Sequence, residues 1–393
     1  MASYLQMGHD SENLIGEQDL DAFIGVILSP VNSLPTKMHS SIQAIKKGNS
    51  DLDIILDPQL YVPKSQNKKL IKHPYFQKNI VSEDTQSTKW WLATAKKLSK
   101  YSMQLGVNSV ASPVIVPKIW NEDYYTTCLN TANDLREVTN NDIKVLSTVL
   151  VNINEISDET QRMKIASILS DTSANGFYIV LYGDTDPRRE FSEESLLFGM
   201  MSLIKEFTFS GKQILVSNTS SDMILYKVAG ATNCASGKFF NLRRFTKSRY
   251  EEPSNGGGGQ LPYWFEHSLV SFLREADLLK LQAEGLNNLV GNLRSKNYWS
   301  DEILQNLNSL HKATKEPWLK YSWRQYLSWF SHTENDIDQS REKYSLVLSW
   351  LKSAESNWLQ IEDNDIYFDE QRNNGSWVRP WLQALVKFKK SNQ

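Results

Sequence analysis

Short apolar, β-branched runs alternate with stretches of helical period through the first 240 residues, and no other feature of this 393-residue sequence restricts the fold as much. The alternation is the pattern of parallel strands joined by crossover helices. Strands are expected at Ala22–Ser29, Leu52–Leu56, Ser109–Val116, Lys144–Val151, Phe177–Tyr182, Gln213–Ser217 and Ala231–Ala235. Helices are expected between them at Lys89–Leu105, Thr160–Ser170, Glu193–Phe209 and Asp222–Val228, where apolar residues recur three and four apart. Ser192 and Ser221 stand where a hydroxyl could cap two of these helices.

An open doubly wound sheet usually carries a glycine-rich turn after its first strand, but Ile27-Leu-Ser-Pro-Val-Asn32 has no G-x-G-x-x-G pattern. The expected fold is therefore α/β, a TIM-type (β/α)8 barrel with an all-helical C-terminal extension. The eighth strand is expected near Leu261–Trp264, after the glycine-rich loop Ser254–Gln260 and before a helical stretch at Phe265–Ala276. Beyond Asp277 the pattern is helical only, broken by polar turns at Lys296–Ser300, Thr314–Pro317 and Asn373–Gly375, which divides the chain into a barrel at 1–277 and an extension at 278–393. Eight of the twelve tryptophans lie in the extension, where 15 Lys and Arg nearly balance 14 Asp and Glu. They form either the core of a helical bundle or an aromatic binding surface, and aromatic interleaving without excess positive charge is only weak evidence for nucleic-acid binding.

The net charge of −2 creates no global field toward nucleic acid or an anionic membrane. No apolar run reaches the roughly 18 residues that span a bilayer, and residues 1–21 lack the basic and apolar regions of a signal peptide. A cytoplasmic protein without membrane contact is expected. The two cysteines, Cys128 and Cys234, and the scattered histidines show no metal-ligand spacing, so neither a metal nor another cofactor is expected.

Barrel active sites are built at the C-terminal ends of the strands. In this chain those ends deliver Ser29 and Asn32, Asp57 and Gln59, residues 113–118, Asn152 and Asn154, Gly183 with Asp184, Asp186 and Arg188, Asn218, and finally Ser236, Gly237 and Lys238. Such amides, hydroxyls and carboxylates suit a planar, hydrogen-bonding heterocycle better than a hydride cofactor. Asp57 is either a catalytic carboxylate or an acceptor for backbone N–H groups in the turn that follows it. Asp184 and Asp186 form either an acid/base pair or, with Arg188 and Arg189, a salt-bridged loop. After Gly237 the segment through Arg249 contains Lys238, Arg243, Arg244, Lys247 and Arg249 with no acid. It reads equally as a phosphate-binding stretch or as a solvated basic face. Phe239 stands where a Walker loop would need Ser or Thr, and Ser236 lacks the G-x-S-x-G frame of a hydrolase nucleophile.

Leu52-Asp-Ile-Ile-Leu-Asp-Pro-Gln-Leu60 resembles the strand ending in the D-S-G-G-F motif of the tRNA-guanine transglycosylase family. The resemblance, in element order and local pattern over residues 20–275, implies that Asp57 is the pocket aspartate. Val149-Leu-Val-Asn-Ile-Asn154 is similar in position to the strand that supplies an amide to the guanine edge, which implies Asn152 as that amide. Phe177–Gly183 resembles the glycine-bearing strand that floors the base pocket, and Ala229–Arg249 resembles the strand bearing the nucleophilic aspartate before an arginine-rich stretch. Here the nucleophile's position reads Ala235, and the family's C-x-C-x-x-C zinc motif is absent. Covalent exchange needs a carboxylate to capture the ribosyl carbon. The chain thus looks like a divergent member, of the type found in bacterial antiphage operons such as type IV CBASS. That implies recognition or processing of a guanine or deazaguanine group, free or attached to nucleic acid or protein, beside an operon-encoded partner. The alternatives are an active glycosylase or deconjugating enzyme using Asp57 and Asp184, and an assembly scaffold built on the Trp-rich extension.

Overall fold

The computed structural model describes residues 3–17, 20, 22–78, 80–251, 261–308, 319–368 and 373–392. Eight parallel strands close into a barrel in chain order. They are β1 (Ser3–Gln6), β2 (Phe23–Leu28), β3 (Asp53–Leu56), β4 (Ser109–Ala111), β5 (Lys144–Asn152), β6 (Gly176–Tyr182), β7 (Gln213–Val216) and β8 (Asn233–Ser236). Helices α1 (Pro35–Gly48), α2 (Thr88–Leu105), α3 (Glu122–Val138), α4 (Ile153–Ile156), α5 (Glu159–Ser170), α6 (Glu194–Thr208) and α7 (Met223–Ala229) fill the crossovers. The barrel and the seven expected runs are therefore present, with shifted ends. The Ser109–Val116 run is shortened most, because Pro113 has no N–H to give a ladder and the chain turns away after Ala111. Strand β6 is wholly apolar or aromatic apart from Gly176, and β5 carries Val and Leu at five of its nine positions, because both faces of each are buried over most of their length.

The eighth strand is not at Leu261–Trp264. It is the N-terminal β1, which pairs with β2 on one side and β8 on the other. Four residues, two of them polar, are too short for a period-two pattern to register, and the polar ones are buried only because tertiary partners receive them. Trp264 belongs instead to β9 (Trp264–Glu266), antiparallel to β10 (Ser271–Leu273) in a separate two-stranded sheet. That hairpin also replaces most of the helix expected at Phe265–Ala276. The buried Glu266 carboxylate accepts from Trp264 Nε1, Ser268 N, Ser295 Oγ and Gly291 N, which fixes the reversal. The Ser254–Gln260 loop and the Thr314–Pro317 turn lie outside the described residues.

Beyond the hairpin come α8 (Glu275–Ala283), α9 (Ser300–Asn308), α10 (Leu319–Gln339), α11 (Lys343–Asp363) and α12 (Val378–Ser391). Helix α10 covers the β8–β1 seam. Its Glu334, wholly buried, accepts from Ser3 Oγ at 2.6 Å and Cys234 N at 2.8 Å, and Lys227 Nζ lies 3.2 Å away. Trp329, Trp350, Trp358, Trp377 and Trp381 are buried, so the extension uses these tryptophans as core. Ser192 and Ser221 do not cap their helices; the Ser221 hydroxyl donates to Glu190 at 2.8 Å instead. No helix among the described residues is long and apolar enough to cross a membrane.

Candidate functional site

Side chains alternate across a strand, so residues two apart share a face. Tyr4 donates to Asp53 Oδ2 at 2.6 Å, from β1 to β3 across the intervening β2, and so lies in the lumen. Gln6, two residues on, points the same way. On β2, Gly25 passes so close to Tyr4 and to the Asp53 carbonyl that a Cβ would sit 2.5 and 2.4 Å from them. The register then carries the lumen face upward through Ile27 to Ser29 and through Ile55 to Asp57.

Asp57 is 2% exposed and lies at the barrel's C-terminal mouth. Its Oδ1 accepts the Gln59 N–H at 3.0 Å, as an aspartate opening a turn does. Its Oδ2 accepts the phenols of Tyr61 at 3.1 Å and Tyr178 at 3.3 Å. Burial raises the Asp57 pKa to about 6, opposed by the Gln59 N–H, the Tyr61 hydroxyl and the charge of Arg249. Burial, with the Asp57 charge beside them, pushes the phenols of Tyr61 and Tyr178 well above the ordinary tyrosine value.

Around this carboxylate lies a ring of polar atoms. Gln59 holds φ +55°, a left-handed conformation that a side chain makes costly, and its Oε1 accepts from Val31 N at 3.0 Å and Ser29 Oγ at 3.2 Å. Ser29 Oγ in turn accepts Arg249 Nη2 at 2.8 Å. Four buried atoms here make no hydrogen bond among the described residues: both amide atoms of Gln6, Gln59 Nε2 and Arg249 Nη1. Aromatic rings close the mouth above them. Tyr61 meets Phe245 and Tyr250 with centroids 4.9 Å apart in each case, and Phe245 stacks on Tyr250 at 5.4 Å.

The other residues expected at the rim are dispersed. Asn152 accepts the Asn154 N–H at 3.0 Å and caps α4, and Asn154 is exposed. Gly183 and Asp184 follow β6; Asp184 is exposed, whereas Asp57 is buried. Ser236 faces out of the barrel, donating to the Thr219 carbonyl at 2.7 Å and touching Tyr326 of α10 at 2.9 Å. Gly237 packs against Leu242 and the Gln6 carbonyl, where a Cβ would not fit. Ala235 pairs with Tyr4 and so belongs to the lumen face.

The basic run is largely spent inside the protein. Arg243 is wholly buried, donates to the carbonyls of Gly237 and Lys238, and lies 3.7 Å over the Tyr326 ring. Arg244 pairs with Asp222 at 3.0 Å and Glu190 at 3.2 Å. Lys238 donates to the Asp10 carbonyl at 3.0 Å, with Phe239 and Trp323 rings flanking its ammonium. Burial raises the Glu190 pKa to about 7, the Arg244 charge opposing and Asp222 adding to it. This cluster ties the loops after β6 and β7 to the segment after β8.

Gln6, Tyr61 and Tyr178 escaped the sequence reading. Tyr178 carried a signal: it and Tyr182 are the two hydroxyl-bearing residues of a strand whose other side chains are aliphatic or phenylalanine. Among the described residues no group of three His, Cys, Asp or Glu could hold a metal ion.

No protein-family model matches the chain, and no curated protein sequence matches it. Solved structures similar to it include a type I 3-dehydroquinate dehydratase from Clostridium difficile, at 8% identity and a TM-score of 0.34 over 60% of this chain and 84% of that one. Dihydrodipicolinate synthase from Oceanobacillus iheyensis has 10% identity and a TM-score of 0.34, over 100% and 97%. The carboxyl transferase domain of Rhizobium etli pyruvate carboxylase has 9% identity and the same TM-score, over 100% and 77%. The barrel assignment rests on the closed strand order itself; likenesses this distant bear on no activity.

Proposed function

We propose that the barrel mouth binds a planar nitrogen heterocycle of the guanine or 7-deazaguanine type and does not exchange it covalently. One observation carries the reading: Gln6, a buried amide at the lumen's top, has both its donor and its acceptor unused. An amide offering N–H and C=O side by side complements the lactam edge of guanine, which offers C=O and N–H in the opposite order. Gln59 Nε2 and Arg249 Nη1 add two donors, and Asp57 is an acceptor for a ring or amino N–H. Tyr61, Phe245 and Tyr250, packed on one another, would form an aromatic wall beside the bound ring. Ala235 provides no carboxylate on β8 for a glycosyl-enzyme ester. A role in bacterial antiphage immunity, with an operon-encoded partner, belongs to this proposal through the family resemblance alone.

Calorimetry with guanine and 7-deazaguanine, run beside an assay for incorporation of labelled guanine into tRNA, tests both halves. Binding is expected, with Gln6→Ala weakening it by about tenfold or more, equivalent to 1.4 kcal/mol, and no label is expected in tRNA. Absence of binding to the wild-type chain would remove the pocket assignment; incorporation would remove the non-covalent one.

A further inference from the structure

On the far side of α6, helices α11 and α12 leave an open groove of about 670 Å³ that the barrel-mouth reading does not use. One wall is a single face of α11, since Leu348, Lys352, Glu355 and Leu359 follow one another four, three and four residues apart. That face runs for about 17 Å, three helical turns. Leu382 and Val386 supply the apolar floor from α12. Leu359 is 54% exposed, an unusual position for a leucine on a helix whose opposite side is packed.

Charge decides what the groove accepts. Lys387 is already paired with Glu194 at 2.9 Å. Lys352, Arg379 and Lys390 have no carboxylate partner among the described residues, and Glu355 is the one remaining acid of the lining. Within a chain of net charge −2, this is a local excess of positive charge around a leucine row. We infer that the groove is a docking site for an amphipathic, acidic helix of a partner protein, its leucines lying on Leu348, Leu359 and Val386 and its carboxylates on the three free cations. A second copy of the chain fits worse, because a two-fold contact would set the same cations against each other. A flat lipid surface would not reach Leu382, which is 9% exposed at the base of the groove.

Fluorescence anisotropy on the full chain tests this with two labelled peptides of about four helical turns. Both carry the same leucine stripe; one has Glu on its flanks, the other Lys. The Glu peptide should bind saturably and more weakly as salt rises. Its affinity should fall by about tenfold or more in Leu359→Glu and in the double variant Lys352→Glu/Lys390→Glu. All three substituted positions are surface ones, and circular dichroism checks that the variants fold. The inference is overturned if the Glu peptide fails to bind, if the Lys peptide binds as well, or if the variants bind like the parent. Two other outcomes also overturn it. Sedimentation showing self-association abolished by Leu359→Glu would identify the occupant as a second copy. Flotation with phosphatidylserine vesicles, lost in the double variant, would identify it as a lipid surface.

Discussion

Tyr178 on β6 donates its phenol to the carboxylate of Asp57 at the end of β3, 3.3 Å away, so the two residues meet across the lumen. The contact places a buried, doubly phenol-bonded carboxyl at the one end of the barrel where strand-end residues converge. It also makes the charge state of Asp57 a property that experiment can read.

Because the folded pKa of Asp57 is raised to about 6 from 3.8, the native state holds its proton through a window in which the unfolded chain has lost it. The group's contribution to stability is therefore fully present below about pH 4 and is lost as pH rises through 6. Asp57→Asn, which keeps the shape without the charge, should gain on the wild type as pH increases from 4 to 7, by on the order of 3 kcal/mol. Urea unfolding at several pH values measures this. A gap between the two proteins that stays constant with pH would contradict it.

Tyr178→Phe removes one donor to the ionised Asp57 and should move its titration further up from about 6. The cost in stability should be about 1 kcal/mol at neutral pH. Carboxyl carbon shifts followed by NMR through a pH titration give the midpoint directly. A downward move would show that the phenol does not serve the charged form.

Lys227 and Glu334 are wholly buried partners at the β8–β1 seam, 3.2 Å apart. Lys227→Met leaves the buried Glu334 without its counter-charge, while Asp338, 2.8 Å from the same ammonium, keeps Lys343, and it should cost about 3–5 kcal/mol. Adding Glu334→Gln, which retains acceptors and donors for Ser3 and Cys234, should recover much of that loss. Denaturation of the single and double variants decides it; additive losses would mean the pair is not coupled.

Gly25→Ala would drive a methyl group to 2.4 Å from the Asp53 carbonyl, a backbone atom that cannot move aside as a side-chain end can. Several kcal/mol of destabilisation are expected, on the order of the larger core effects. The melting temperature of the variant reports it, and an unchanged value would show that β2 and β3 are free to separate there.

How far the sequence reaches can be seen residue by residue. The βα alternation rests on local periodicity, and it located seven strands and four of the seven crossover helices, α2, α5, α6 and α7, without any contact information. Asp57, Gln59 and Ser29 were legible for the same reason: in a barrel the residue after a strand end lies at the mouth whatever the rest of the fold does. By contrast, Ser3–Gln6 has no local signature, and only pairing to both β2 and β8 makes it a strand. That pairing is what sets Gln6 on the lumen face, level with Ile27 and Ile55 and one step below Ser29 and Asp57. The basic segment after Gly237 shows the limit most clearly. Sequence fixes its charge, but whether Arg243 and Arg244 face solvent depends on aromatic rings and carboxylates from distant elements: Tyr326 on α10 over Arg243, and Asp222 and Glu190 beside Arg244. Periodicity is a short-range property and can be read along the chain, whereas burial and charge pairing are long-range and exist only once the chain has closed on itself.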